Sequence, residues 1–488
     1  MLFGSLVFVF AFLPVVLLAY HALRGAGHER TAKYFLVAAS LFFYGWWDPR
    51  YVPLVSLSIG ANFALSLLME RQPGRASLLL GLGVAGNLAL LGYYKYAHFF
   101  VTALAGATGL PWHRGRIVLP LAISFFSFQQ IAYLIESRRD GKAAHSLLDY
   151  ALFVLFFPHL IAGPITHHKE MLPQFAAMGR HRLPPSYMPI GTAIFIMGLA
   201  KKVVVADLLA MLANPVFNAA RDGLALAPWQ AWQGALAYTL QLYFDFSGYS
   251  DMAIGLGLMF GILLPVNFAS PYKSTSIVEF WRRWHISLSR FLRNYLYFSL
   301  GGNRAGPVRR YANLLATMLL GGLWHGAGWT FIAWGGLHGS YLVINHLWRG
   351  RFGPARGPVG RLAGWGLTML AVVVAWVLFR ADTFASAVAV LRAMAGAPLA
   401  GGASGYLVPQ LLGWAAVALA GGVALFAPNV LEMAGFPHTT PGLPIEHDGI
   451  EPLRWRPRPW AVAAVLGVVA AFAFARLPDP GVFLYFNF

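Results

Sequence analysis

Long apolar runs separated by short basic loops dominate the chain. The first run extends from Phe3 to about Tyr20, and similar runs recur before residue 203 near 32–47, 52–69, 77–108, 119–135, 147–163 and 188–202. Because about 20 apolar residues are needed for a helix to cross a bilayer, each run is a candidate span. The pattern predicts an all-α, polytopic membrane protein with about 11–12 transmembrane helices, including the later runs 362–380, 405–427 and 459–476.

A polar interruption occurs within the run from Gln241 to Leu264. It contains Asp245, Ser247, Gly248 and Asp251. We expect the chain to turn at this point, because carboxylates in lipid need partners and a hinge exposes backbone groups that they can bond. A role for Asp245 and Asp251 in orienting substrate is the alternative.

A second interruption, LWHGAGW, occupies residues 323–329. The limb from Tyr311 to Leu323 rises roughly 20 Å at ~1.5 Å per residue, which is shorter than a hydrocarbon core. Gly326 and Gly328 favour a break in the helix. We therefore expect His325 within the membrane, in a broken or re-entrant helix at a buried cavity.

Composition and charge placement support the same interpretation. The chain is 58% hydrophobic and 11% charged, and it has 36 Lys and Arg against 18 Asp and Glu. The cations lie in short loops, as the positive-inside rule requires of cytoplasmic loops, and this placement argues against nucleic acid as a partner. Lys201 and Lys202 are expected to close a span at the inner face. The absence of cysteine excludes disulfides, thiolate zinc sites and thiol nucleophiles.

Two histidines are the strongest candidates for chemistry. His325 follows about forty residues after His285, which lies in FWRRWHISLSRFLRNYLYFSLGGNR at 280–304. Imidazoles of this kind can remove a proton from a hydroxyl, and the arginines beside them can bind an anionic donor. The alternative is that each histidine is a hydrogen-bonded core residue, and spacing alone does not decide between them.

Several long motifs resemble the membrane-bound O-acyltransferase family, in particular its bacterial alginate O-acetyltransferase branch. The resemblance is carried by the 280–304 motif, by LWHGAGWTFIAWGGLHG at 323–339, and by three earlier segments: LPLAISFFSFQ at 119–129, FFPHLIAGPI at 156–165 and YFDFSGYSDMAIGLG at 243–257. It covers most of residues 30–350. What the resemblance implies is one membrane-embedded acyltransferase domain over residues 1–488, built around a central tunnel, with core motifs at 119–347, C-terminal helices at 362–476 and a tail at 478–488.

The resemblance also implies roles for individual residues. His325 corresponds to the family's invariant histidine, interpreted as the general base, and His285 to the second polar position. Trp324 is expected to help orient them. Acetyl-CoA or an acyl carrier protein is the expected thioester donor, no bound cofactor or metal is expected, and a basic rim at 273–310 is expected to attract the donor. The candidate donor-binding residues are Arg282, Arg283, Arg290 and Arg293, with plain positive-inside anchoring as the alternative.

The last residues, FLYFNF, form an aromatic tail that is expected on the outer side. In a related D-alanyl transfer system, a companion protein ends in an F-x-Y-x-x-F pattern whose tyrosine is considered an acyl carrier. Phe483, Tyr485 and Phe488 match that pattern, so Tyr485 is a candidate acyl relay to an extracytoplasmic transferase. An interfacial aromatic anchor is the alternative.

The function expected from these features is transfer of acetyl groups from a cytoplasmic thioester across the bacterial inner membrane for O-acetylation of an exported polysaccharide. Membrane lipid and an extracytoplasmic acetyltransferase or other glycan-modifying protein are the expected partners. Two alternatives stay open at this point. One is D-alanyl or acetyl transfer to teichoic acid or peptidoglycan, and the other is transport of a lipid-linked sugar.

Overall fold

The structure is a computed structural model that describes residues 1–109, 118–144, 146–178, 184–304, 306–354, 356–397, 410–435 and 459–477. Within these residues the regular elements are all helices, and the helices form two compact units. The all-α prediction is confirmed. The assignment of residues 1–488 to one continuous domain stays a prediction.

The first unit comprises Met1–Ile196 and Tyr249–Pro265 among the described residues. Its helices are α1 (Leu13–Gly25), α2 (Glu29–Gly45), α3 (Val52–Arg71), α4 (Ala76–Leu91), α5 (Ala97–Thr108), α6 (Ile123–Asp140), α7 (Leu147–Leu155), α8 (Phe157–Leu160), α9 (His168–Ala177) and most of α10 (Tyr187–Ala200). Five-residue π-helical turns precede α1 at Phe8–Phe12 and α5 at Gly92–Tyr96.

The second unit comprises Met197–Gly248 and the described residues within 266–435 and 459–477. Its helices are α11 (Asp207–Arg221), most of α12 (Pro228–Met259), α13 (Ile277–Arg283), α14 (Ile286–Phe291), α15 (Gly306–His325), α16 (Trp329–Phe352), α17 (Gly357–Arg380), α18 (Phe384–Met394), α19 (Gln410–Phe426), α20 (Val430–Met433) and α21 (Pro459–Arg476).

Four described helical segments are long and apolar enough to cross a membrane, judged by length and composition. They are Phe8–Gly25, Pro49–Arg71, Pro73–Thr108 and Gly357–Arg380. Much of their surface is apolar and exposed, as Leu18, Leu57 and Leu367 illustrate. Side chains of this kind are stable on a protein surface when lipid surrounds it, so the chain is a membrane protein.

The expected turn at Asp245 to Asp251 is wrong, because α12 continues without interruption from Pro228 to Met259. Gly248 does not provide a hinge. A Cβ at this glycine would lie 2.7 Å from the carbonyl oxygen of Gly198, so the missing side chain permits close helix packing instead.

The expected end of a span at Lys201 and Lys202 is also wrong. Helix α10 passes through a π-helical turn, Lys201–Ala206, directly into α11. Lys202 is buried, and its Nζ lies 2.6 Å from Asp207 Oδ1 and 3.1 Å from Asp245 Oδ1. Because two carboxylates compensate its charge, the lysine does not have to reach the membrane surface.

The predicted break at His325 is confirmed, since α15 ends at His325 and α16 begins at Trp329. The first limb is longer than expected because α15 already begins at Gly306. Glycines bring these two helices into backbone contact: a Cβ at Gly335 would lie 2.2 Å from the carbonyl oxygen of Met318, and one at Gly322 would lie 2.2 Å from that of Phe331. The two helices therefore form a close-packed pair that fixes His325 at its apex.

Replacing Gly335 with alanine should destabilise this helix pair by roughly 1–3 kcal/mol, because the added methyl group has no space. Thermal unfolding of the detergent-solubilised protein measures the effect. Gly336→Ala is the matched control, since its Cβ would meet only a Leu319 side-chain atom at 3.4 Å. Equal melting temperatures for the two variants would contradict the proposed packing.

Candidate active site

The motif at 280–304 folds into two short helices with His285 between them. Ser276 begins α13 by accepting a hydrogen bond from the backbone N–H of Glu279, and α14 follows immediately after His285. The backbone of His285 has φ 43° and ψ 55°, in the left-handed region that residues other than glycine rarely adopt. This conformation turns the chain sharply and places the imidazole in the interior, where it is 0% exposed.

Asn267 holds that imidazole in place. Its Oδ1 accepts hydrogen bonds from His285 Nδ1 at 3.1 Å, from the Ser287 hydroxyl at 2.9 Å and from the Ser287 backbone N–H at 3.3 Å. The sequence analysis missed Asn267. The sequence signal that could have identified it is a single amide side chain between the apolar residues Val266 and Phe268. A buried amide needs polar partners, so such a residue is a candidate for a hydrogen-bonded site.

His325 lies in the same unit, with its ring centroid 6.4 Å from that of His285. The structure thus brings together the two histidines that the sequence analysis selected. The His325 ring packs edge-on against Trp324, Trp334 and Phe379, with centroid separations of 4.8, 5.0 and 5.2 Å. Trp324 thus contacts the base candidate, and its orienting role stays a prediction. The His325 residue is 4% exposed.

A third histidine, His338, extends this cluster. Trp281 donates its indole N–H to His338 Nδ1 at 3.3 Å. The Trp334 ring lies between His338 and His325, with centroids 4.9 and 5.0 Å away. The sequence analysis did not select His338. Its contacts place it in the aromatic wall of the candidate site, a position that depends on the α15–α16 packing and not on sequence spacing.

The candidate donor-binding arginines fall into two groups. Arg283 binds the carboxylate of Glu279 at 2.9 Å and the carbonyl oxygen of Ala269 at 3.2 Å, so its charge is already compensated. The other three form a cationic cluster. Burial, and then the positive charges of Arg290 and Arg282, lower the pKa of Arg293. Mutual repulsion of this kind is relieved when an anion binds.

The carboxylates of α12 have different surroundings. Asp245 is 1% exposed and belongs to the buried ion triad with Lys202 and Asp207, so its observed role is to compensate a cation inside the second unit. Asp251 is 6% exposed and lies in the part of α12 that belongs to the first unit. Tyr485 lies outside the described residues, as do Phe483 and Phe488.

Replacing Lys202 with methionine should destabilise the fold by roughly 3–5 kcal/mol, because two buried carboxylates would lose their cation. Chemical unfolding in mild detergent measures this change. Arg221→Met is the control, since the Arg221–Asp222 pair is about half exposed and its loss should have little effect. A Lys202 variant as stable as the Arg221 variant would show that the triad does not stabilise the protein.

Comparison with known proteins identifies relatives of this chain. Residues 108–388 match the model of the membrane-bound O-acyltransferase family. The chain is 44% identical to the peptidoglycan O-acetyltransferase of Helicobacter pylori, over 81% of this chain and 80% of that protein. It is 45% identical to the probable alginate O-acetylase AlgI of Pseudomonas aeruginosa, over 81% of this chain and 75% of that protein.

A more distant similarity extends to D-alanyl transfer. The teichoic acid D-alanyltransferase of Streptococcus thermophilus is 30% identical over 47% of this chain and 57% of its own length. The matched family region contains His285, His325 and His338, together with Asn267 and the arginine cluster.

Proposed function

The chain belongs to the membrane-bound O-acyltransferase family, and on that basis we propose that it transfers acetyl groups from a cytoplasmic thioester to the hydroxyl of an extracytoplasmic acceptor. Family membership and the named relatives make the chain an enzyme of the O-acyltransferase class. The observation that carries the proposed chemistry is the pair of buried imidazoles, His285 and His325, whose centroids are 6.4 Å apart. Both rings are buried in the second unit, so a hydroxyl that reaches them would have a proton acceptor close by.

The proposed reaction needs only a proton acceptor and a fixed geometry. The acceptor oxygen attacks the thioester carbonyl carbon and forms a C–O bond, while the hydroxyl proton moves to an imidazole and the carbonyl π electrons move to oxygen. The C–S bond then breaks, and the leaving sulfur takes the proton from the imidazole. The family resemblance predicts His325 as this general base, with His285 as the second polar group.

The donor is proposed to bind through its negative charge. Arg282, Arg290 and Arg293 form the cationic cluster closest in sequence to the histidine pair, and phosphate groups match guanidinium geometry well. Coenzyme A and a phosphopantetheine-bearing carrier protein both supply phosphate. Arg283 is a weaker candidate, because Glu279 already binds it.

The proposed acyl group and acceptor follow from the relatives. The two relatives at 44% and 45% identity are named for O-acetyl transfer, to peptidoglycan and alginate respectively, whereas the D-alanyl relative is at 30%. These values favour acetyl over D-alanyl transfer and an exported cell-surface polymer as the final acceptor. Family membership also favours an enzyme over a transporter of lipid-linked sugars.

The proposed location is the bacterial inner membrane, with several spans. The four apolar helical segments support this placement, and an extracytoplasmic transferase is the proposed partner. Tyr485 is proposed to accept the acetyl group and hand it to that partner. The support for this role is the match of Phe483, Tyr485 and Phe488 to the carrier pattern.

Replacing His325 with alanine should reduce acetyl transfer from acetyl-CoA by at least about 100-fold, because a positioned general base contributes rate factors of this size. Turnover of radiolabelled acetyl-CoA by the purified protein measures the loss. His28→Ala is the control, since His28 is an exposed residue of the first unit. Full activity in the His325 variant would contradict the proposed chemistry.

Replacing Tyr485 with phenylalanine should abolish polymer acetylation in cells while leaving membrane insertion intact. The variant keeps the aromatic ring and loses only the hydroxyl that would carry the acetyl group. Mass spectrometry of the C-terminal peptide should detect an acetyl ester on wild-type Tyr485 that is absent from the His325→Ala protein. Unchanged polymer acetylation by the phenylalanine variant would eliminate the relay.

A further inference from the structure

The hydrogen bonds of Asn267 determine which nitrogen of His285 carries a proton. Three donors converge on one side-chain atom of Asn267: the Ser287 hydroxyl, the Ser287 backbone N–H and His285 Nδ1. A backbone N–H cannot accept a hydrogen bond, so the atom facing it is the carbonyl oxygen and not the amide nitrogen. Since that oxygen only accepts, the proton of this contact belongs to His285 Nδ1.

The second nitrogen of His285 is therefore a lone-pair acceptor. His285 lies between α13 and α14, outside the four apolar membrane segments, and burial lowers its pKa to about 3. The neutral ring carries one proton, which is on Nδ1. Nε2 is buried and has no hydrogen-bond partner within the described part of the chain. A buried acceptor without a donor is destabilising, so a donor group from a substrate would be stabilised there.

Backbone hydrogen bonds hold the chain on both sides of His285. The backbone N–H of Ile286 donates to the Asn267 carbonyl oxygen at 3.0 Å, and that of Ala269 donates to the Arg283 carbonyl oxygen at 3.0 Å. These bonds join segments 267–269 and 283–287 on both sides of the left-handed residue. A left-handed conformation is unfavourable for a residue other than glycine, and the bonds from Asn267 stabilise it here.

Neighbouring rings fix the plane of the imidazole. Phe246 contacts His285 edge-on, with centroids 4.7 Å apart and an interplanar angle of 89°. The His325 ring lies at 6.4 Å with an interplanar angle of 59°. The two imidazoles are therefore neighbours in the same buried cluster. A hydroxyl that reaches His285 Nε2 can donate its hydrogen to it.

We infer that Asn267 is a positioning residue that makes His285 the proton-accepting member of the histidine pair, so that the acceptor hydroxyl donates its hydrogen to His285 Nε2. The inference rests on the proposed function and changes one assignment within it. In the reaction described above, the proton moves from the hydroxyl to His285 Nε2 and from there to the leaving sulfur. His325 then contacts the opposite side of the same oxygen.

Three variants separate this role from simple packing. Asn267→Leu keeps the approximate side-chain volume and removes the acceptor oxygen. Asn267→Asp keeps an acceptor oxygen at the same distance along the side chain. Ser287→Ala is the matched control, because it removes one of the three donors to Asn267 and leaves the bond to His285 in place.

The direct readout is solid-state ¹⁵N NMR of the full chain in lipid bilayers with ring-labelled histidine. The His285 signals are assigned by their loss in a His285→Gln variant. Wild-type, Asn267→Asp and Ser287→Ala proteins should show a protonated Nδ1 and a bare Nε2, whereas Asn267→Leu should show protonated Nε2. A wild-type His285 protonated on Nε2 would overturn the inference, whatever the activity.

The kinetic readout is acetyl transfer from acetyl-CoA. For Asn267→Leu, kcat should fall on the order of 100-fold while KM for acetyl-CoA changes less than about twofold, because only proton acceptance is impaired. Asn267→Asp should recover most of that loss, and Ser287→Ala should retain nearly full kcat. An active wild type with normal kcat in Asn267→Leu would overturn this inference alone. Wild-type protein that transfers no acetyl group would overturn the proposed function and the inference together.

Discussion

Every polar group inside a lipid-embedded helical protein must find its partner within the chain, because hydrocarbon offers none. This constraint explains the two least typical features of the second unit. Lys202 sits in the middle of a continuous helical stretch because Asp207 and Asp245 compensate it. His285 sits in a left-handed conformation because Asn267 bonds both its ring and the backbone that follows it.

The same constraint determines where the helices approach most closely. Adjacent helices without polar groups associate by packing, and glycine permits the shortest distance between their backbones. Gly322 and Gly335 place α15 and α16 in direct backbone contact, and the apex of that pair carries His325. The position of His325 relative to His285 is thus a consequence of backbone packing, and its aromatic neighbours occupy the remaining space.

Much of this arrangement could be predicted from the sequence, and the exceptions share a physical cause. Hydrophobic run length indicated the helices, and the two glycines after His325 indicated the break. The motifs also identified His285 and His325. The prediction of a turn at Asp245 was wrong because the sequence does not distinguish two situations. A charged residue interrupts an apolar run whether it lies at a hinge or in a buried ion pair. Asn267, Trp334 and His338 were missed because their roles come from contacts between segments distant in sequence, which no local pattern records.

In the second unit, the charged guanidinium groups and the neutral imidazoles have different surroundings, and this difference limits the kind of donor that can bind. The guanidinium cluster includes exposed side chains, whereas His285 and His325 are at most 4% exposed and are surrounded by aromatic rings. A charged group could approach the imidazoles only by losing its hydration, which costs several kcal/mol. A thioester at the end of a long uncharged arm would avoid that cost, because only its uncharged end would have to reach the histidines. This division supports the proposal that the arginine cluster binds the charged part of the donor and that the imidazole pair acts on its uncharged end.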